Sequence, residues 1–201
     1  MVKQKKQMKT PYHVILASNS PRRKELLAGL DLPFQVRVLQ DIDESYPADL
    51  PTEQIAEFIS KKKAQAYAKT MADDELVITA DTVVILGNEV MGKPKDEADA
   101  RRMLSELSGR THQVTTGVTI TTRERQTSFS VVTNVTFKQL STDEIEYYVQ
   151  NYHPMDKAGA YGIQEWIGYI GVTALEGSYF NVMGLPVQRI YEAIRTYIEL
   201  E

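Results

Sequence analysis

The sequence predicts an α/β fold in which helices flank a mixed central sheet. Two observations support this fold class. Apolar β-rich segments alternate with segments of helical period, which is typical of a sheet covered by helices, and a hairpin signal at Gly87-Asn88 adds an antiparallel pair. The 201 residues contain no repeat, linker or low-complexity segment, so we expect one α/β domain over residues 11–201.

The composition is typical of a globular protein and excludes several kinds of site. The 23 basic and 27 acidic residues give a net charge of −4. This balance argues against a polymeric nucleic acid as partner but allows a small anion in a local basic pocket. The absence of cysteine excludes disulfides and thiolate metal sites, and three scattered histidines argue against a zinc cluster.

The first ten residues, MVKQKKQMKT, are basic and polar, and we expect residues 1–10 to form a flexible leader. They lack the apolar core of a signal peptide, and no later segment has the pattern of a membrane span. The cytoplasm is therefore the expected location, without a membrane partner.

The first half of the chain predicts three strands, two helices and a hairpin. YHVILA is a predicted buried strand, followed by a helix with Ser20 as its N-cap and Pro21 as its first residue. FQVRVLQ alternates as a strand does and leads into the acidic loop DIDESYP. An amphipathic helix is predicted over residues 51–70. LVITA predicts a strand that ends at Asp81, and TVVIL with EVM predicts the hairpin.

The second half predicts further strands between capped helices. Asp96 is the predicted N-cap of a helix that ends at Gly109. QVTTGVTITT and TSFSVVTNVTFKQL predict an antiparallel pair, and Ser141 with Glu144 predicts a capping box. IGYIGVTAL and SYFNVM are predicted strands, and the last helix begins near Pro186.

Two adjacent arginines stand at the start of the first predicted helix, where the helix dipole favours anions. The guanidinium groups of Arg22 and Arg23, the hydroxyls of Ser18 and Ser20 and the free backbone N–H groups of that helix end together suit a phosphate. The alternative is that both arginines are solvated and pair with Glu25 or another neighbour.

Carboxylates in two segments suit a metal ion. Asp81 follows a hydrophobic strand and precedes Thr82, a position that suits a metal ligand or a base for water, with a turn cap as the alternative. Asp41, Asp43 or Glu44 could add a second oxygen ligand, because magnesium commonly uses one or two carboxylates together with substrate phosphate. The alternative for this loop is a solvated surface.

Lysines could supply further positive charge to the same site. Helical spacing puts both Lys62 and Lys63 on the inward side of the second helix and does not choose between them. Lys93, in a short loop after the hairpin, could bind phosphate as a point charge or be exposed.

A glycine-bearing loop near residue 160 carries polar and aromatic side chains. The amide of Gln164 offers both a donor and an acceptor, so it could read the edge of a nucleobase. Tyr161 and Trp166 flank it, and Gly159 and Gly162 allow close backbone approach. The alternative is packing in the core or in a turn.

Six blocks of the sequence resemble the Maf family, also called septum formation inhibitors. They occur in the family's order and are ILASNSPRRKELL, FISKKKA, ITADTVV, GKPKDEADARRMLSELSGRTHQV, MDKAGAYGIQ and YFNVMGLP. The resemblance covers residues 12–199. It implies an elongated fold related to inosine triphosphatase, with two lobes around a deep cleft and frequent pairing into homodimers. It also implies hydrolysis of a nucleoside triphosphate to the monophosphate and pyrophosphate with a divalent metal cation such as Mg²⁺ or Mn²⁺.

The resemblance implies roles for individual residues, and it favours Lys63 over Lys62. Asp81 matches the acidic catalytic residue, and Glu44 matches an acidic residue near the metal. The residues that match phosphate binders are Arg22, Arg23, Lys63 and Lys93, with Ser18 as a further substrate-binding candidate. The residues that match the specificity positions of the branch preferring dTTP and UTP, rather than 7-methyl-GTP, are Arg22, Thr82 and Gln164.

Other functions are compatible with parts of this pattern. A nucleotide-binding regulator of cell division would bind nucleotide without essential catalysis, and house-cleaning of modified pyrimidine nucleotides would use the same hydrolysis. A nucleotidyltransferase would transfer the nucleotide to an acceptor, but the glycine-rich loop GGxGxR is missing after the first predicted strand. Binding of DNA through the lysine-rich leader is a further alternative.

Overall fold

The computed structural model describes residues 10–197, so residues 1–9 of the leader predicted over residues 1–10 lie outside the described residues. In the described part of the chain, seven strands form one mixed sheet that packs against seven α-helices and two short 3₁₀ turns. The predicted α/β class is therefore confirmed. None of the helices between residues 10 and 197 is long and apolar enough to cross a bilayer.

The strands pair in the order β2-β1-β3-β5-β6-β7, and β4 pairs with β3. Their bounds are β1 His13–Leu16, β2 Gln35–Val36, β3 Glu75–Leu86, β4 Glu89–Met91, β5 Thr111–Thr121, β6 Gln126–Phe137 and β7 Val172–Glu176. β1 lies parallel to both β2 and β3, whereas the other pairs are antiparallel. The predicted mixture of parallel and hairpin pairings is confirmed.

Three of the helices begin at the caps that the sequence predicts. Their bounds are α1 Pro21–Ala28, α2 Thr52–Ala68, α3 Glu97–Leu107, α4 Thr142–Tyr152, α5 Trp166–Gly171, α6 Tyr179–Val182 and α7 Val187–Ile194. Ser20 caps α1 and Asp96 caps α3, each by accepting a backbone N–H three residues on. Ser141 and Glu144 form the reciprocal capping box of α4. These local hydrogen bonds need no tertiary contact, which is why the sequence alone reveals them.

Four predictions about strands are wrong in whole or in part. LVITA and TVVIL are one continuous strand, β3, so Asp81 lies within a strand and not at its carboxyl end. FQVRVLQ forms a strand only at Gln35–Val36. The beginning of IGYIGVTAL is helix α5, and SYFNVM contains helix α6 with Ser178 as its N-cap. Short apolar runs fit a buried strand and a buried helix equally well, so their period does not distinguish the two.

The edge of β3 is open at its centre. β1 pairs with residues 75–78 of β3, and β4 pairs with residues 84–86 on the same edge. β5 occupies the opposite edge along residues 77–85. Residues 79–83 therefore have a strand neighbour on one side only, within the chain from 10 to 197.

Successive side chains of β3 point to opposite faces of the sheet. Odd-numbered residues face α2: Val83 packs in one cluster with Ile55 and Ile59, and Thr79 Oγ1 donates to the Ser60 carbonyl at 2.8 Å. Even-numbered residues such as Ile78 face the core formed with α1 and α7. Asp81 and Thr82, which are adjacent in sequence, therefore lie on opposite faces.

Gly117 of β5 fixes how closely α2 approaches the sheet. It pairs directly with Asp81, and a Cβ at this position would lie 2.2 Å from Glu57 N and 2.3 Å from the Ala56 carbonyl carbon. Only glycine permits this contact between the helix backbone and the strand. The close approach brings the middle of α2 over Asp81.

Candidate active site

A cavity of about 760 Å³ opens beside the unpaired centre of β3. Its wall includes the segment from β1 into α1, the acidic loop after β2, the middle of α2, the turn after β4 and the segment around residue 160. The cavity is lined by Ser18 and by all eight residues that match functional positions of the resembled family: Arg22, Arg23, Glu44, Lys63, Asp81, Thr82, Lys93 and Gln164. Groups that are far apart in the chain therefore converge on one cavity.

On the α2 face of β3, the cavity holds a lysine between two carboxylates. Lys63 Nζ lies 2.9 Å from Asp81 Oδ1 and 3.1 Å from Glu44 Oε1. The side chains of Lys63 and Asp81 are 12% and 14% exposed, whereas Glu44 is 54% exposed. A largely buried ion pair between Lys63 and Asp81 thus faces the cavity, and the more exposed Glu44 adds a second carboxylate to it.

Lys62 belongs to a different environment from Lys63. Its Nζ donates to Asp43 Oδ2 at 2.7 Å and to the Ser45 carbonyl at 2.8 Å, and it does not line the cavity. The hydrogen bond from Lys62, supported by Ser45, holds the pKa of the Asp43 carboxyl well below its usual range. The structure therefore selects Lys63 as the inward lysine, as the resemblance implied.

Three hydrogen bonds to other residues of the chain hold the side chain of Arg23 in place. Its Nε donates to the Gly184 carbonyl at 2.8 Å, Nη1 to the Ala80 carbonyl at 3.0 Å, and Nη2 to Thr82 Oγ1 at 3.0 Å. These bonds engage three of the five guanidinium N–H groups. The Ala80 carbonyl lies on the open edge of β3, so the arginine fills part of the space that a neighbouring strand would occupy. Burial lowers the pKa of Arg23, and the nearby charge of Asp81 opposes that effect.

Arg22 pairs with the segment near residue 156 at the wall of the cavity. Its Nη1 donates to Asp156 Oδ2 at 3.0 Å, and its side chain is 24% exposed. Burial alone would raise the pKa of Asp156, but hydrogen bonds from Lys157 and Arg22 outweigh burial and lower it. Ser18 is buried at the beginning of α1, where its Oγ accepts from Ser20 N at 3.2 Å.

On the other face of β3, hydroxyl groups form a connected chain. Thr82 Oγ1 lies 2.9 Å from Thr116 Oγ1, and Thr116 Oγ1 donates to the Asn181 carbonyl at 3.1 Å. Asn181 is fully buried, and its amide donates to the Val114 carbonyl and to Thr133 Oγ1. Sequence reasoning missed Thr116 and Asn181, because isolated polar residues in a strand and a short helix give no sign that they meet.

Gln164 and Tyr161 line the cavity near its polar end. Gln164 Oε1 is buried and has no hydrogen-bond partner among the described residues. The Tyr161 hydroxyl lies 2.7 Å from His112 Nε2, and burial lowers the pKa of His112 to about 4. Trp166 does not line the cavity and packs against Tyr147 instead.

Lys157 is a cavity-lining cation that the sequence reasoning missed. It is 7% exposed, and its Nζ lies 2.8 Å from Asp156 Oδ1 and 3.1 Å from Glu165 Oε1. Glu165 in turn accepts a hydrogen bond from the Tyr148 hydroxyl. A lysine beside an aspartate is typical of a solvated pair, so only the fold reveals its burial. Through Asp156, this network connects to Arg22.

The carboxylates of the cavity limit how a metal ion could be held. No group of three or more His, Cys, Asp or Glu side chains between residues 10 and 197 is arranged to hold a metal ion by itself. Asp81 and Glu44 supply two carboxylates that already flank one cation, the ammonium of Lys63. Two carboxylates fit magnesium or manganese when substrate phosphates and water complete the coordination.

Comparisons with known proteins give a consistent result. The model of the Maf-like protein family matches residues 13–197. A dTTP/UTP pyrophosphatase of Phocaeicola vulgatus is 61% identical over 184 residues, which cover 92% of this chain and 95% of that protein. Proteins with the same name are 56% identical over 184 residues in Bacteroides thetaiotaomicron, with the same coverage, and 46% identical over 187 residues in Flavobacterium johnsoniae, covering 93% and 96%.

Proposed function

This chain belongs to the Maf family, and on that premise we propose that it hydrolyses dTTP and UTP to the nucleoside monophosphate and pyrophosphate. Relatives that are named dTTP/UTP pyrophosphatase match this chain over nearly its full length. The observation that supports it best is the Asp81–Lys63–Glu44 cluster in a cavity lined by further cations. Modified pyrimidine nucleotides would be substrates of the same chemistry.

The cavity is proposed as the deep cleft between two lobes of the family fold. Its volume of about 760 Å³ lies in the range of small-molecule sites, roughly 300–1,000 Å³. The opening at residues 79–83 of β3 lets one ligand reach side chains on both faces of the sheet.

The triphosphate would bind at the cationic side of the cavity. Since the chain has a net charge of −4, the attraction must come from local groups. The proposed phosphate-binding groups, all at the wall of the cavity, are Ser18, Arg22, Arg23, Lys63 and Lys93. Charge-assisted hydrogen bonds of this kind contribute about 1.5–3 kcal/mol each. Arg23 has at most two N–H groups left for this purpose, so Arg22 and Lys93 carry more of the contact.

Asp81 is proposed as the catalytic residue that orients and deprotonates the attacking water. The water attacks the α-phosphorus, the bond from the α-phosphorus to the α,β-bridging oxygen breaks, and pyrophosphate leaves. The Lys63 ammonium fixes Asp81 Oδ1 from 2.9 Å, which orients the carboxylate toward the cavity. A divalent ion held by Asp81 and Glu44 would neutralise phosphate charge and make a bound water more acidic.

Substrate selection is proposed for Arg22, Thr82 and Gln164. The amide of Gln164 lines the cavity and offers both a donor and an acceptor, which suits the polar edge of a nucleobase. The Asp156 carboxylate holds the guanidinium of Arg22 through Nη1. The remaining N–H groups of Arg22 can therefore bind a ligand while the side chain keeps its position.

The cytoplasm, where free nucleotides are found, is the proposed location. A homodimer is also proposed, and Tyr169, Tyr179 and Phe180 give the surface an exposed aromatic patch that a second copy would cover. Light scattering across a concentration series tests this assembly, and a constant monomer mass would contradict it.

A panel of nucleoside triphosphates with Mg²⁺ and with Mn²⁺ tests the proposed function. We expect equal amounts of monophosphate and pyrophosphate, with dTTP and UTP the preferred substrates. Release of inorganic phosphate, or transfer of the nucleotide to an acceptor, would contradict the proposed bond cleavage. Binding without turnover would instead favour a nucleotide-binding regulator of cell division.

A further inference from the structure

The hydrogen bonds around Thr82 determine which way its hydroxyl group can act. A hydroxyl has one proton to donate and two lone pairs with which to accept. Arg23 Nη2 donates to Thr82 Oγ1 and so uses one lone pair, because a guanidinium cannot accept. The remaining question is whether the Thr82 proton points into the cavity or toward Thr116.

The carbonyl of Asn181 determines the direction of the Thr82 proton. It can only accept, so Thr116 donates its single proton to it at 3.1 Å. The 2.9 Å contact between the two threonine hydroxyls then requires Thr82 to be the donor. The reverse direction would leave the Thr82 proton without an acceptor among these groups, so this arrangement makes more hydrogen bonds. Thr82 therefore presents only one remaining lone pair to the cavity.

An acceptor at this position discriminates between ligand groups. Phosphate oxygens are acceptors and gain nothing from a second acceptor, which argues against Thr82 as a phosphate contact. On the pairing edge of uracil or thymine the only donor is N3–H, whereas N3 of cytosine is an acceptor. A buried site that meets the wrong polarity leaves two acceptors facing each other, which strongly disfavours binding.

We propose that Thr116 is a positioning residue for substrate specificity. It holds the Thr82 proton away from the cavity, so that Thr82 accepts from N3–H of a uracil or thymine base and rejects cytosine. This inference deepens the proposed function and rests on it. Thr116 itself does not line the cavity and acts through Thr82.

Thr116→Val tests this role with little change in shape. Thr116 is fully buried, and the Asn181 carbonyl keeps its hydrogen bond from Gly184 N at 2.9 Å. Without the Thr116 hydroxyl, the Thr82 proton can turn into the cavity and donate to N3 of cytosine. We expect the ratio of kcat/KM for UTP to that for CTP to fall about tenfold.

Two variants serve as controls. Thr115→Val removes the neighbouring buried hydroxyl, which faces α2 and has no partner among the described residues, so the ratio should stay within about twofold of wild type. Thr116→Ser restores a hydroxyl and should restore the ratio. A Thr116→Val enzyme that loses activity equally toward UTP and CTP, or keeps the full ratio, would overturn the inference.

Binding measurements separate this inference from the proposed function. UTP and CTP are titrated into wild-type and Thr116→Val protein without divalent ion, by calorimetry. A shift of the binding preference without any hydrolysis by wild type would support the positioning role and refute the pyrophosphatase. Normal hydrolysis of UTP with an unchanged preference in both assays would refute the positioning role alone.

Discussion

The two faces of β3 at Asp81 and Thr82 are built in opposite ways. On the α2 face, Asp81 is held by one ion pair with Lys63, to which the exposed Glu44 also contributes. On the other face, Thr82 belongs to a continuous chain of hydrogen bonds from Arg23 through Thr116 to the backbone of Asn181. One ligand can contact both faces because the edge of β3 is open between them.

This difference indicates a division of labour. Ion pairs between cavity side chains can be exchanged for contacts with a phosphate or a metal ion, so the α2 face suits the changing charges of a reaction. Hydroxyl groups bonded to buried backbone keep one orientation, so the opposite face suits recognition of a fixed pattern of donors and acceptors. Substitutions on one face should therefore change turnover, and those on the other should change selectivity.

The largest expected effect is a loss of turnover when Asp81, at the centre of the α2 face, is replaced. Asp81→Asn keeps the size of the side chain but removes the base, so kcat should fall by about 10³-fold. The preference for UTP over CTP in binding should remain, because Thr82 is unchanged. Pyrophosphate release and calorimetric binding measure the two properties. Near-normal turnover would remove Asp81 from the chemistry.

Gly117→Ala tests how the α2 face is assembled. The new Cβ would lie 2.2 Å from Glu57 N, so α2 must move away from the sheet, and the free energy of unfolding should fall by about 3 kcal/mol. Urea denaturation measures this value. Gly92→Ala is the matched control, because a Cβ there meets nothing within 4 Å, and its effect should stay within about 0.5 kcal/mol. Equal stability of the two variants would contradict the close packing of α2.

Adjacent lysines on α2 sharpen the comparison further. Lys63→Met removes the partner of Asp81 and a phosphate contact, and kcat/KM for dTTP should fall about 30-fold. Lys62→Met removes a lysine that pairs with Asp43 outside the cavity, and kcat/KM should change by less than about threefold. If both variants lose activity to the same extent, the cavity does not distinguish the two lysines.

A smaller effect, on stability, is expected from His112, which lies on the same face of the sheet as Thr116. Burial lowers its pKa from the ordinary 6.5 to about 4, so between these values the unfolded chain binds more protons than the folded one. Stability from this residue is complete above pH 6.5 and is lost as the pH falls toward 4.

Between pH 7 and pH 5, His112 should reduce the free energy of unfolding by about 2 kcal/mol. His112→Gln should remove that part of the pH dependence while groups shared by both proteins cancel. Denaturation of wild type and variant at the two pH values measures it. Identical pH dependence in the two proteins would mean that folding leaves the pKa of His112 unchanged.

Local signals predicted more of this molecule than long-range ones. Ser141 and Glu144 lie three residues apart and cap each other, so the sequence contains the whole interaction. The polar pair Asp81 and Thr82 was interpreted as the end of a strand, because a polar pair inside a buried strand needs a cavity to face. Nothing in the local sequence shows that β3 lacks a neighbour there.

For the candidate site, the residues were predicted from the sequence and its resemblance, whereas the contacts between them were not. The sequence and its resemblance named nine residues that the structure brings to one cavity, although their roles stay predictions. The contacts between them were not predictable, since the bonds of Arg23 to Ala80 and Gly184 span 57 and 161 positions. Thr116, Asn181 and Lys157 were missed because only the folded chain brings them to their partners.

The most direct test is a crystal structure of Asp81→Asn with dUTP whose α,β-bridging oxygen is replaced by NH. We predict that N3–H of uracil lies within hydrogen-bond distance of Thr82 Oγ1, while the triphosphate contacts Arg22, Lys63 and Lys93. A base turned away from Thr82, or a triphosphate bound outside the cavity beside β3, would contradict the account.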